Sequence, residues 1–130
     1  MNDFKHTFAN IQITEGIFEI SFQPNTIIDL EAAQLISAQG AHIGKGACYP
    51  ILADISNIKY INKEARIYWS HKDGGLSRII ALALFSDSVI GKIIINMFLT
   101  FDQPDFSCRA FSKKEMAREW LKAQSSELTT

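Results

Sequence analysis

The sequence predicts an α/β domain. Its sheet is mixed but mainly parallel, opened by an N-terminal β-hairpin and covered by four helices, in the order β-β-α-β-α-β-α-β-α. Three observations carry this reading. Alternation of period two runs from Phe8 to Phe22 and breaks at Glu15-Gly16; the runs 49–55 and 78–85 are apolar almost throughout; and segments with helical spacing separate the runs. Strands apolar on both sides are what a parallel sheet covered by helices requires, and alternating strands and helices supply its crossovers.

The elements follow in order. Phe8 to Ile13 and Ile17 to Phe22 pair across the Gly-containing turn, and Pro24-Asn25 ends the hairpin. Asp29 stands at an N-cap before Leu30, Ala32, Ala33, Leu35 and Ile36, a helix that finishes near the glycines at 40, 44 and 46. Tyr49 to Ile55 is a buried strand with Pro50 only at its mouth. Asn62 caps a helix through His71, with Ala65, Tyr68 and Trp69 on one face, and Asp73-Gly74-Gly75 breaks it. Arg78 to Phe85 is the second buried strand, and Ser86-Asp87-Ser88 opens a very apolar helix to Phe101. Its Val89/Ile93/Met97 row is expected on the sheet. The last strand is Ser107 to Phe111; Ser112 with Glu115 forms a capping box for the closing helix, whose buried stripe is Met116, Ala117, Trp120 and Leu121. One domain over residues 1–124 follows, with 125–130 a frayed tail.

Composition narrows the function classes. Thirteen basic residues against fourteen acidic ones give a net charge of −1, too balanced for an electrostatic nucleic-acid binder or a polybasic membrane anchor. The most apolar stretch, Val89 to Leu99, is interrupted by Gly91, Lys92 and Asn96 and falls short of the roughly 20 residues that span a bilayer. The first twenty residues interleave charges with apolar positions, so no secretory signal is read and a cytoplasmic, reduced protein is expected. Cys48 and Cys108 are then two free, largely buried thiols.

Chemical motifs are few. Gly40 to Gly46 resembles a phosphate-binding loop only in its Gly-Lys: three residues instead of four separate Gly40 from Gly44, Gly46 stands where Ser or Thr would hold magnesium, and a helix precedes it. It reads as a helix end. His6, His42 and His71 have no partner at ligand spacing, so no metal and no cofactor is predicted. No local pair activates Ser or Cys as a nucleophile. Asp87 sits where open α/β sheets bind ligands, but reads as a helix cap because an acid there repels phosphate.

The most informative segment is Pro50 to Ala65. Asp54-Ile55-Ser56 closes a buried strand, Ile58, Tyr60 and Ile61 follow at hydrophobic spacing, and Asn62 opens a helix. This resembles the core of the STAS family, the bacterial anti-sigma-factor antagonists, in which a strand ends in Asp-hydrophobic-Ser and Asp-Ser-Ser-Gly opens a helix. Asn62 stands at the capping Asp. Lys63 and Glu64 occupy the two serine positions, Glu64 the phosphorylated one, and Ala65 replaces the glycine. The element order extends the resemblance over most of the chain. Glu64-Ala65-Arg66-Ile67-Tyr68 and the final Ala117 to Leu121 are similar to segments of small SpoIIAA-like bacterial proteins of unassigned function.

The resemblance implies a non-enzymatic regulatory or protein-interaction domain that lacks the serine of the STAS switch. Its partner surface would be Lys63, Glu64 and Arg66, with Asp54, Ser56 and Asn62 structural. A carrier or sensor of a hydrophobic small molecule is the alternative, because the 89–101 helix carries more apolar surface than one sheet face needs. The same surplus leads to the expectation of a homodimer through residues 88–101, with part of the Ile90, Ile94, Ile95, Phe98 and Leu99 surface meeting a second copy.

Overall fold

A hairpin opens the chain: β1 (Ala9–Thr14) runs antiparallel to β2 (Ile17–Phe22). Glu15 and Gly16 between them both have positive φ, 53° and 83°, the backbone of a type I′ turn. The computed structural model describes residues 9–71, 73–75 and 79–129. His6, and the Phe8 and Arg78 with which the sequence begins two strands, lie outside the described residues.

Beyond the hairpin, β4 (Tyr49–Asp54), β6 (Ile79–Phe85) and β7 (Cys108–Phe111) continue the sheet in parallel, giving the order β1-β2-β4-β6-β7. Ile51 pairs with Phe18 on one side and Leu82 on the other, so β4 and β6 are buried on both faces as their unbroken apolar runs predict. A second ladder was not legible: β3 (Thr26–Ile28) pairs in parallel with β5 (Ile58–Ile61). Strands of three and four residues are too short to display a period.

Three helices lie on one face of the sheet, α1 (Leu30–Gly44), α2 (Lys63–Ser70) and α3 (Val89–Met97), and one on the other, α4 (Lys114–Thr129). The first face buries Phe18, Ile51 and Leu82 with Ile36, Ala65, Ile95 and Phe98. The second buries Ile17, Leu52, Ala81 and Ala83 against Ala117 and Leu121.

Polar side chains start three of the helices. Asp29 accepts from the Ala32 N–H (2.9 Å), Asn62 from Ala65 (2.9 Å) and Ser88 from Gly91 (3.0 Å). The cap of α3 is therefore Ser88 and not Asp87, which is exposed. The loop after α1 is a helix end: Lys45 takes φ 53° and donates its N–H to Ala41, and Gly46 follows at φ 83°.

Two helices are rotated from the expected orientation. On α3, Val89 and Ile93 are 74% and 54% exposed, while Gly91, Ile95 and Phe98 are buried and Ile94 and Leu99 half-buried. With apolar residues on several rows, periodicity cannot choose the buried one; a close approach does. A side chain at Gly91 would collide with Ser86, so that row alone can face the sheet. The helix then widens into a π-helical turn (Phe98–Asp102), closed by Gln103 N–H to Phe98 C=O at 3.1 Å. The added residue shifts the phase, leaving Phe101 77% exposed and turning Asp102 inward. On α4, Met116 is 56% exposed and not part of the buried stripe, while the row Lys114, Arg118 and Lys122 pairs with Asp54, Glu19 and Glu15. The helix begins at Lys114, one residue later than a Ser112 cap requires, and includes Ser125 to Thr129, assigned above to a frayed tail.

Candidate functional site

The sequence motif maps to the C-terminal edge of the sheet. β4 ends at Asp54, whose Oδ1 accepts from the Ser56 hydroxyl (2.6 Å) and the Ser56 N–H (3.0 Å). Its Oδ2 meets Lys114 Nζ at 2.8 Å. Partial burial works against ionisation of Asp54, but the Lys114 and Ser56 contacts outweigh it and hold the carboxyl below its ordinary value. The Ser56 oxygen also accepts from the Asp87 N–H (2.9 Å). One serine therefore ties the end of β4 to the loop after β6, and one aspartate ties it to α4.

From there β5 leads to Asn62 and the first turn of α2, where Lys63 and Glu64 are both exposed. Arg66 does not share that surface. Its Nε donates to Asp102 (2.8 Å) and its Nη1 to the Ile61 carbonyl (3.0 Å), and the two charged side chains are 12% and 6% exposed. The STAS resemblance put Arg66 on the partner surface because it lies in the first turn of the helix with which STAS relatives meet their partners. Asp102 is distant in sequence, and only the π-helical turn brings it inward. In place of Arg66, Ile67 stands exposed one turn after Lys63 and Glu64, with Tyr60 exposed on β5.

The inner side of α2 faces a cavity. Trp69 Nε1 donates to Ser37 of α1 (2.8 Å), so α2 is bonded to α1 through Trp69 and to the π-helical turn through Arg66. Under it, between the three helices and the sheet, lies an apolar space of about 90 Å³. The glycines after α2 let the chain turn back tightly on the helix end: a side chain at Gly74 would strike the Tyr68 carbonyl, and one at Gly75 the rings of Tyr68 and Trp69.

The remaining candidates do not converge. Cys48 is exposed and Cys108 half-buried; both are free, and burial pushes the Cys108 thiol up to about 12. Cys48 is thus not the buried thiol expected: it precedes β4 in an open loop. His71 lies 3.7 Å from Asp105 at the surface. Among the described residues no three His, Cys, Asp or Glu gather at a metal-binding distance, and no helix is long and apolar enough to cross a membrane.

Against known proteins, residues 11–125 match the DUF7793 family, described as a domain of unknown function. The chain belongs to that family. This DUF7793 chain has no match among curated proteins. Solved structures share its fold. An uncharacterised protein of the DUF3478 family with a SpoIIAA-like fold, from Shewanella loihica PV-4, superposes with a TM-score of 0.51 at 16% identity, over 87% of this chain and 91% of that one. The anti-sigma factor antagonist SpoIIAA in its unphosphorylated form gives a TM-score of 0.51 at 13% identity, over 88% and 97%. The DUF7793 chain thus has a SpoIIAA-like fold, the fold that the resemblance of its Asp54 to Ala65 segment implies.

Proposed function

We propose that this domain is a non-enzymatic regulatory module that binds another protein through the first turn of α2, without a phosphorylation switch. The observation that carries the reading is Glu64: it is exposed in the first turn of a capped helix, at the position where the STAS motif has its phosphorylated serine. A carboxylate there carries −1 and two acceptor oxygens, whereas a phosphoserine carries about −1.5 to −2 and three, so the surface is constantly acidic. Lys63, Ile67 and Tyr60 complete it with one cation and two apolar contacts. Arg66 supports it from beneath, and Asp54, Ser56 and Asn62 hold the backbone that presents it. Its setting is the cytoplasm.

The experiment is capture of partners from host lysate by wild type, Glu64→Ser and Glu64→Lys, each checked for melting. The reading expects one partner retained by wild type, reduced with Glu64→Ser and lost with Glu64→Lys. Identical capture by all three removes this surface as the interface.

The apolar surface of α3 supports a homodimer. Val89, Ile90, Ile93 and Phe101 are at least half exposed, and a twofold contact is the commonest way for one copy to cover such a surface with another.

A further inference from the structure

The two edges of the main sheet are unlike. At one, β7 is four residues long and carries Arg109, which lies over the Phe111 ring at 5.8 Å. Shortness and charge are two of the devices that keep a sheet edge from pairing with another chain. At the other edge, β1 has six residues, with no charge, no proline and no shift in its register with β2. Asn10, Gln12, Ile13 and Thr14 are exposed, Ile13 at 52%.

The hairpin fixes which backbone groups of β1 point outward. Its two-residue turn at Glu15-Gly16 makes Thr14 and Ile17 a hydrogen-bonded pair, and such pairs alternate along an antiparallel ladder. Asn10, Gln12 and Thr14 therefore bond to β2. The N–H and C=O groups of Ala9, Ile11 and Ile13 face away from it, with no backbone partner among the described residues. These three stand opposite Phe22, Ile20 and Phe18, on the three-helix side of the sheet. A groove opens there, lined by Ile11, Phe22, Pro24 and Gln39 among others. On the α4 side, the two acids beside β1, Glu15 and Glu19, are already paired with Lys122 and Arg118.

We propose that the outer edge of β1 is a docking site for an extended, uncharged segment of another protein, added antiparallel to the sheet as one more strand. In strand addition the main-chain hydrogen bonds supply affinity and alternate side chains supply specificity. Residues opposite Ala9, Ile11 and Ile13 lie on the groove side and are apolar, with β-branched side chains packing best on such a surface. Residues opposite Asn10, Gln12 and Thr14 are neutral and polar. A charged residue finds no free counter-ion along this strand, because Glu15 and Glu19 are already engaged. The antiparallel direction follows from the weaker pairing of parallel strands. A second copy is the poorer occupant: with α3 as the twofold contact proposed above, on which this exclusion alone rests, a further twofold contact through β1 would build tetramers or open chains.

The test uses the full chain and a capped hexapeptide of alternating threonine and valine. Amide hydrogen exchange followed by NMR reads the free protein first: Gln12, bonded to β2, is expected to exchange slowly, and Ile11 and Ile13 fast. With saturating peptide, Ile11 and Ile13 should slow by about tenfold or more while Gln12 changes little. The groove-side valines turn their amides toward β1, so N-methylation of the valines should weaken binding by about tenfold or more, the worth of the lost hydrogen bonds. N-methylation of the threonines, whose amides face solvent, should leave it nearly unchanged. Glutamate in place of threonine should weaken it. On the protein side, Ile13→Pro removes one outward N–H without touching the ladder to β2 and should weaken binding; the methylated peptides decide the matter even where that variant folds poorly. The proposal fails if Ile11 and Ile13 in dilute free protein exchange as slowly as Gln12, which means a covered edge. It fails equally if their protection grows with protein concentration alone, which makes a second copy the occupant. Absence of saturable binding at millimolar peptide, shifts away from β1, equal binding of the two methylated peptides, or undiminished binding of the glutamate peptide each overturn it as well.

Discussion

The two faces of the sheet solve the same packing problem in opposite ways. Toward α4, small residues bring helix and sheet close: Ala81, Ala83 and Ala117 are entirely buried, and Leu121 fills the remaining gap. A row of basic residues four apart then fastens the helix edge, Lys114 to Asp54, Arg118 to Glu19 through two bonds of 2.7 and 3.0 Å, and Lys122 to Glu15. Toward α1, α2 and α3, large side chains meet around a space, and polar contacts tie the helices together, among them Trp69–Ser37 and Arg66–Asp102. One face is a closed structural layer; the other combines exposed chemistry outside with a cavity inside. Substitutions on the two faces therefore carry different signatures.

The largest effect is expected from Arg66→Ala, which leaves Asp102 charged and 6% exposed with no partner. Such a break costs about 3–5 kcal/mol, to be read from urea denaturation. The double replacement Arg66→Met with Asp102→Leu should recover most of that loss, because it removes the stranded charge along with the pair. If the single variant were as stable as wild type, the three-helix face would not depend on this pair and the contrast would be wrong.

Overpacking sharpens the comparison directly. Ala83→Val pushes two extra methyl groups into the α4 layer and should cost about 1–3 kcal/mol. Ala53→Val adds the same atoms to the wall of the cavity, where filling is neutral or stabilises by about 1 kcal/mol. Equal losses at both positions would mean that the two layers are packed alike.

The fastening of α4 also predicts acid sensitivity. Arg118 holds Glu19 below its ordinary 4.5, and Asp54 lies below its ordinary 3.8 despite the cost of burial, because Lys114 and Ser56 favour its charged form. Folded values below the unfolded ones mean that these contacts stabilise fully above the unfolded values. Their contribution is lost as pH falls through about 4 toward the lowered values. Asp54→Ala should cost about 1–3 kcal/mol at neutral pH and flatten the acid limb of a stability–pH curve. A variant with unchanged melting but altered binding would make Asp54 a contact residue.

The difference between the faces also governs what was legible in the sequence. The runs of β4 and β6, the Glu15-Gly16 turn, and the caps at Asp29 and Asn62 are local signals, and each appears where its residues stand. Rotation of α3 was not legible, because its apolar residues occupy more than one row and the deciding close approach, Gly91 on Ser86, depends on the path of the chain into the helix, which periodicity does not show. Met116 went astray because the acids that pair with the neighbouring basic row of α4, Glu19 and Glu15, lie about a hundred residues away in the chain. At the candidate site, Glu64 and Lys63 were placed correctly at the surface because a capped first turn is solvated by default. Arg66 was not, since its partner depends on a π-helical turn that no periodicity announces. The cavity was invisible, because a space is defined by what surrounding elements fail to fill.

The smallest effect on stability, and the sharpest on assembly, is expected at the outer surface of α3. Ile93 is 54% exposed and Val89 74%, so replacing both with Asp removes little buried area and should change stability by no more than about 0.5 kcal/mol. If a second copy covers this surface, the same change places charges in an apolar contact, and an unpaired charge in such a place is costly. Light scattering at high micromolar concentration is then expected to report a dimer for wild type and a monomer for Val89→Asp/Ile93→Asp, with superimposable melting curves at low concentration. A wild type that is strictly monomeric there removes the dimer. A variant that stays dimeric moves the contact elsewhere, for instance to the exposed Ile27 and Tyr60 of the small ladder, which pair with each other across β3 and β5.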